Sequence, residues 1–292
     1  MSSSQRPVTG RVVAQRTVEG GGFVVRRPFP TREWVQFDPF LLIDEMGPVA
    51  YGPGEAVGAP DHPHRGFETV TYLLDGEFEH EDSAGHRGTL KPGDVQWMTA
   101  GSGVVHSEMP SARIRRDGGR VHGFQVWVNL PARDKMLPPR YQEIASAVLP
   151  VARPADGRAS VKVIAGEALG VAARIETHTP ILYFDASVAP GGSVTLATPR
   201  DFNVGVYVFE GAGEVGGARA QSGDFLALGD GDEITLACAA TEQRAVRALV
   251  LGGAPIGEPV ARYGPFVMNS EAEIHQAIAD FRNGTFGGIA RR

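Results

Sequence analysis

The sequence predicts an all-β protein, a sandwich or barrel built in two related halves, with one short helix near its C-terminal end. Three observations carry this. Glycine (38) and proline (21) are abundant, short β-branched or aromatic runs recur between them, and helical periodicity is confined to one late segment. The 292 residues suffice for two domains of ordinary size, and a hydrophobic content of 42% supplies buried cores.

Taken in chain order, strand signals fall at 22–27, 40–44, 67–74, 77–81, 95–99, 104–109 and 124–130, with Asp75-Gly76 as a hairpin turn between the third and fourth. A poorly periodic stretch over 131–156 then carries Pro131, Pro138, Pro139, Pro150 and Pro154. The division it predicts is an N-terminal domain over 1–132, a linker over 133–158 and a C-terminal domain over 159–292. Strands resume at 161–165, 172–176, 181–188, 205–209, 224–228, 233–238 and 246–251. Ser270 followed by Glu273 forms a capping box, and Ile274, Ile278 and Phe281 share one helical face, so 270–282 is predicted as an amphipathic helix packed on a sheet.

The halves echo each other. YLLDG (72–76) is answered by YVFEG (207–211), and Gly93-Asp94 by Gly223-Asp224, which implies an internal duplication. Superposing the two tyrosines gives an offset of 135 residues and puts Ala197 and Pro199 where His62 and His64 stand.

Those histidines matter because DHPHRGFE (61–68) and VHSEMP (105–110) each offer two metal-binding side chains separated by one residue. Alternate side chains of a strand share a face, so His62 projects with His64, and His106 with Glu108. If the two strands face each other, three imidazoles and one carboxylate converge and leave an octahedral ion two open positions. Pro63 holds His62 extended and, lacking an N–H, suits an edge strand or bulge. Either spacing alone is weak, and a polar loop with two solvated imidazoles is the plainer alternative. Their shared strand-like context within one half favours a single divalent transition metal, with iron, manganese, nickel, copper and cobalt all compatible. The second half has lost these residues, so the metal belongs to the first.

Glu68 is expected on the same face as His62 and His64, to orient an imidazole or to pair with Arg65. His80 and His86 are expected to be exposed, and His122, His178 and His275 have no metal-like neighbours. Trp97, Met98, Phe67, Phe124 and Trp127 are expected to pack the core rather than line a pocket for a planar ligand. The lone Cys238 excludes an intramolecular disulfide and any multi-thiolate centre, in keeping with a cytoplasmic protein. A net charge of -6 without a long Lys/Arg run argues against direct nucleic-acid binding, and Arg113, Arg115 and Arg116 are expected on a solvated loop. No secretion signal or membrane segment is expected.

The run HPHRGFETVTYLLDG (62–76), with GHRG (85–88) and PGDVQWMTAGSGVVHSEMP (92–110), resembles the pirins, members of the cupin superfamily. FDPFLLIDEM (37–46), FQVWVNLP (124–131), GPFVMN (264–269) and DFRNG (280–284) extend the resemblance over nearly the whole chain. It implies a bicupin: two antiparallel β-barrels (double-stranded β-helices), the N-terminal one holding metal and the C-terminal one degenerate. It implies that His62, His64, His106 and Glu108 hold the metal, iron first among the candidates. The implied activity is that of a quercetin 2,3-dioxygenase, in which O2 opens the ring of a small aromatic flavonol and carbon monoxide leaves, with Glu108 both ligand and base. A different role also known among pirins is iron- or redox-dependent regulation through a protein partner, a transcription factor or a metabolic enzyme. The Gly/Ala-rich stretch 51–60 departs from the family pattern and implies an altered pocket mouth.

Overall fold

The computed structural model describes residues 3–19 and 21–291. The chain forms two compact units, and neither is one block of sequence. One comprises the chain up to Gln15, Thr31–Pro39 and Val148–Pro255; the other comprises Arg16–Pro30, Phe40–Ala147 and the chain from Ile256 onward. Consecutive domains over 1–132 and 159–292 differ from this division at both ends of the chain. The prolines do punctuate the chain near its crossing point, but local composition carries no record of which sheet a terminal segment joins.

Each unit is built from two antiparallel sheets in the same layout. In the unit around residues 40–147, a seven-stranded sheet runs in the order Arg140–Ile144, Val95–Thr99, Phe67–Asp75, Gly119–Asn129, Phe40–Tyr51, Phe23–Phe29 and Gln15–Glu19. Its four-stranded companion runs Ala59–His64, Val104–Pro110, Phe78–Asp82 and Arg87–Leu90. The other unit repeats this with Val8–Val13, Asp224–Leu228, Asn203–Glu210, Val246–Gly253, Ile181–Val188, Ala159–Ala165 and Val151–Ala152, against Ser193–Ala197, Glu233–Ala237, Ala212–Val215 and Ala218–Gln221.

The duplication is visible in single hydrogen bonds. Gly93 N donates to Leu73 O at 2.6 Å, and Gly223 N donates to Val208 O at 2.8 Å, each acceptor being the residue after the matched tyrosine. Gly76 (φ +96°) and Gly211 (φ +75°) make the turns that follow, in a backbone region open to glycine. The interiors differ. The second unit is filled by aliphatic side chains, among them Val194, Leu196, Val206, Val208, Ile234 and Leu236. Ala197 ends a strand there and Pro199 follows it, and among the described residues no cluster of three metal-binding side chains forms in that unit.

Several elements depart from expectation. Within the supposed linker, Arg140–Ile144 pairs with Val95–Thr99 and takes the sheet edge that Val8–Val13 takes in the other unit. Pro138 and Pro139 hid that five-residue strand, and Val8–Val13 is mostly exposed and so lacked an apolar pattern. The strand expected at 172–176 is only Val171–Ala172, paired with Glu167–Ala168. Arg113, Arg115 and Arg116 are exposed as expected, but on a short helix, Ala112–Asp117, capped by Ser111 Oγ accepting from Ile114 N at 3.3 Å.

The C-terminal helix, Glu271–Arg282, is capped by Ser270 as its sequence predicts. It packs beside the two-stranded sheet of Ala261–Tyr263 and Phe266–Met268, burying Ile274 and Ala277 in a cluster with Val105, Phe266, Met268 and Phe286. Phe281, expected on the buried face, is 40% exposed. The helix thus belongs to the first unit and not to the second barrel. No helix among the described residues is long and apolar enough to cross a membrane.

Candidate metal centre

The two histidine-bearing segments are neighbouring antiparallel strands. In the four-stranded sheet Ala59–His64 pairs with Val104–Pro110, His62 lying directly opposite His106 and His64 opposite Val104. The first of these is the edge strand, where Pro60 and Pro63 cost no ladder hydrogen bond. Opposed residues of an antiparallel pair share a face, so the imidazoles converge. The ring centroids lie 4.7 Å apart for His62 and His64, 4.4 Å for His62 and His106, and 4.9 Å for His64 and His106. One nitrogen from each lies within 4.8 Å of the others.

The state of the rings suits metal binding. His62 Nδ1 donates to Pro60 O at 2.7 Å, which leaves Nε2 with its lone pair free. His64 and His106 are buried, and burial, reinforced by the neighbouring histidines, pulls both well below the usual imidazole range. Both are neutral at physiological pH, as a donor must be. His64 Nδ1 and both nitrogens of His106 are buried without a hydrogen-bond partner. Buried polar atoms are normally satisfied, so these are the nitrogens with lone pairs to offer a metal ion.

Glu108 stands apart from this trio. A register shift separates it from His106 along the ladder, and it pairs with His80 on one side and Ala59 on the other. Its carboxylate is not among the donor atoms gathered within 4.8 Å; Oε1 instead accepts a hydrogen bond from Thr71 Oγ1 at 2.8 Å. Thr71 Oγ1 also lies 2.7 Å from the side-chain amide of Gln125. One hydroxyl proton serves one acceptor, so Thr71 donates to Glu108 and the amide of Gln125, turned with its NH2 inward, donates to Thr71. Beside Glu108 and Thr71 opens a mainly apolar pocket whose other walls include Phe23, Met46, Tyr51 and Phe78. Tyr51, Val57, Gly58 and Ala59, all from the Gly/Ala-rich stretch 51–60, help to line it.

Glu68 is corrected. Gly66 (φ +88°) breaks the run after His64, the chain enters the other sheet at Phe67, and the alternation starts afresh. Phe67, Thr69 and Thr71 then face the histidines' side, while Glu68 turns away and accepts from Thr99 Oγ1 at 2.7 Å. Arg65 does not pair with it. Its Nε donates to Ser102 O at 2.7 Å, Nη1 reaches Asp280 Oδ2 on the C-terminal helix at 2.7 Å, and the guanidinium covers the Phe286 ring at 4.5 Å. Phe67 and Trp127 lie edge-on to His64 at 5.1 and 5.3 Å, whereas Trp97, Met98 and Phe124 are core residues as expected.

Lys135 was not singled out by its sequence. It is buried, and its ammonium donates to Gly66 O (2.8 Å), Asn129 Oδ1 (2.7 Å) and Val267 O (3.0 Å), so it ties the turn after His64 to the C-terminal segment. Burial lowers it to about 8. Contrary to expectation His80 is buried, close to Glu143, while His86 is half-exposed. His122 is buried with Nε2 at 2.9 Å from Glu45 Oε1.

Comparison with known proteins agrees with this architecture. The Pirin profile matches residues 22–128, and the Pirin C-terminal cupin domain profile matches residues 183–287. A Pirin-like protein of Solanum lycopersicum is 42% identical over 288 residues, covering 98% of this chain and 94% of its own. Human Pirin is 41% identical over 289 residues, covering 97% and 95%. A crystal structure of quercetin 2,3-dioxygenase from Acinetobacter baumannii superposes with a TM-score of 0.91 at 38% identity, covering 98% of this chain and all of that one. Two barrels of one topology, a histidine cluster in only one of them, and matches across both halves lead to one conclusion: the chain is a bicupin of the pirin family.

Proposed function

We propose that this pirin is a metal-dependent dioxygenase that opens flavonol-like rings with dioxygen and releases carbon monoxide. The observation that carries the reading is the conjunction of three clustered imidazoles, two of them buried with unpartnered nitrogens, and a mainly apolar pocket lined in part by Thr71 and Glu108. The similarity to a quercetin 2,3-dioxygenase supports it. His62, His64 and His106 would hold one divalent transition ion, iron first among iron, copper, manganese, nickel and cobalt, with Glu108 as the fourth donor. When bound, such an ion polarises an enolic oxygen and opens a path for electrons to dioxygen.

The chain's own residues do the rest. Phe23, Met46 and Phe78 give a planar aromatic an apolar wall and exclude water from it. Thr71 holds one oxygen of Glu108, which leaves the other to accept the flavonol 3-hydroxyl proton. Gln125 holds Thr71 in turn. Flavonol and dioxygen together then yield a depside and carbon monoxide, with every atom accounted for.

The test mixes metal-loaded protein with quercetin in air. The expected result is loss of the flavonol absorbance with equimolar carbon monoxide, and none after chelation. Absence of turnover with all five metals overturns the reading.

A further inference from the structure

The structure assigns a second divalent-cation site to His80, His86 and Glu143, apart from the three-histidine cluster and independent of the dioxygenase reading. The three residues come from three elements. His80 lies in the strand Phe78–Asp82, His86 in the turn that follows, and Glu143 in Arg140–Ile144 at the edge of the seven-stranded sheet. Their donor atoms lie within 4.8 Å of one another. Glu143 Oε1 is 2.7 Å from His80 Nε2 and 3.0 Å from His86 Nε2, and it accepts from Gln96 Nε2 at 2.9 Å. Donors bound tetrahedrally to one zinc-like ion at about 2.1 Å stand roughly 3.4 Å apart, so Glu143 Oε1 needs to draw back from the two imidazoles by roughly 0.4 to 0.7 Å.

Several features hold these groups in place. Asp82 Oδ1 accepts from Ala84 N at 2.9 Å and from His86 N at 2.7 Å, which fixes the turn that presents His86. The Tyr141 ring stacks on His86 at 4.4 Å and lies parallel to His80 at 6.3 Å, so the imidazoles have fixed planes. Gly88, directly across the ladder from His80, makes the room. A Cβ there would come within 2.5 Å of His80 Nε2 and 3.0 Å of Glu143 Oε1.

A simple hydrogen-bonded trio does not account for His80. Its side chain is 3% exposed, yet neither ring nitrogen makes an aligned hydrogen bond, although Nε2 lies 2.7 Å from a carboxylate oxygen. A bridging cation would satisfy a lone pair and a carboxylate set at that distance. Two imidazoles and one carboxylate form the donor set of zinc, cobalt, nickel or copper, with water completing the shell. His86 and Glu143 are each 36% exposed at the side chain, so an ion can enter from solvent.

The experiment titrates metal-free full-length protein with Co(II), reading stoichiometry by calorimetry, bound metal by elemental analysis and coordination by visible absorption. Wild type is expected to bind two equivalents. H86A and E143Q, both at half-exposed positions that tolerate change, are each expected to bind one, with the second weakened more than the 10–100-fold typical of losing an outer hydrogen-bond partner. H62A is expected to retain the absorption bands of the equivalent that H86A loses. One equivalent in wild type, or two in wild type with both kept in H86A and E143Q, overturns the site.

Discussion

Thr71 and Glu68 sit three residues apart on one strand and project to its opposite faces. Thr71 donates to Glu108 and so fixes the orientation of its carboxylate. Removing that bond in T71V is expected to leave metal content unchanged and lower quercetin turnover roughly 10-fold. An unchanged rate would show that Thr71 only lines the pocket. Glu68 faces the other way, and burial pushes its carboxyl up to about 7 despite the Thr99 hydrogen bond. The unfolded chain releases that proton near 4.5, so the folded state binds it more tightly. Stability is therefore full below pH 4.5 and falls as pH rises through 7, by about 3 kcal/mol at most. E68Q keeps the acceptor for Thr99 and removes the ionisation. Denaturant unfolding of the metal-free proteins should show wild type losing stability relative to E68Q between pH 5 and 8; parallel curves would refute the shift.

At the scale of elements, the short edge strand Ala59–His64 is the delicate part of the centre. It gains ladder bonds on one side only and contains Pro60 and Pro63, so its position depends on what grips its end. Lys135 holds Gly66 O, Arg65 holds Ser102 O and Asp280, and Gly66 itself lies against Val267. G66A is expected to fail twice over, through a Cβ at φ +88° and its overlap with Val267 O. A loss of about 2 kcal/mol or more in urea unfolding, with weaker metal retention, is the expected outcome. Native-like stability and metal content would show the turn to be adaptable. The neighbouring elements also show where sequence patterns run out. The strands 67–75, 95–99 and 104–110 announced themselves because they are apolar on both faces or alternate strongly. Arg87–Leu90 and Ala218–Gln221 are four residues long and mostly polar, and they are strands because the barrel needs them there.

For the whole molecule, the exchange of terminal segments matters most. The chain from Ile256 onward folds onto the first unit, where Phe266, Met268, Ile274, Ala277 and Phe286 surround Val105, the neighbour of His106. Arg262 also covers Trp127 at 4.7 Å, and Trp127 borders His64. Deleting residues 256–292 is therefore expected to strip the centre of metal and lower the melting temperature, as elemental analysis and calorimetry would show; a truncated chain with full metal content would contradict this. The sequence by itself determined the all-β class, the duplication, the absence of the histidine pair from the second half and, within its expected group of His62, His64, His106 and Glu108, the convergence of the three histidines. Each of these depends on a period-two pattern or on residue identity within a few positions. Only the tertiary structure decided that Glu108 rests on Thr71, that Glu68 turns away behind Gly66, and that the C-terminal helix steadies the first barrel. It alone brought His86 to Glu143 across 57 residues. Such contacts come from strand order and chain crossing, which bring together residues whose local sequence carries no trace of one another.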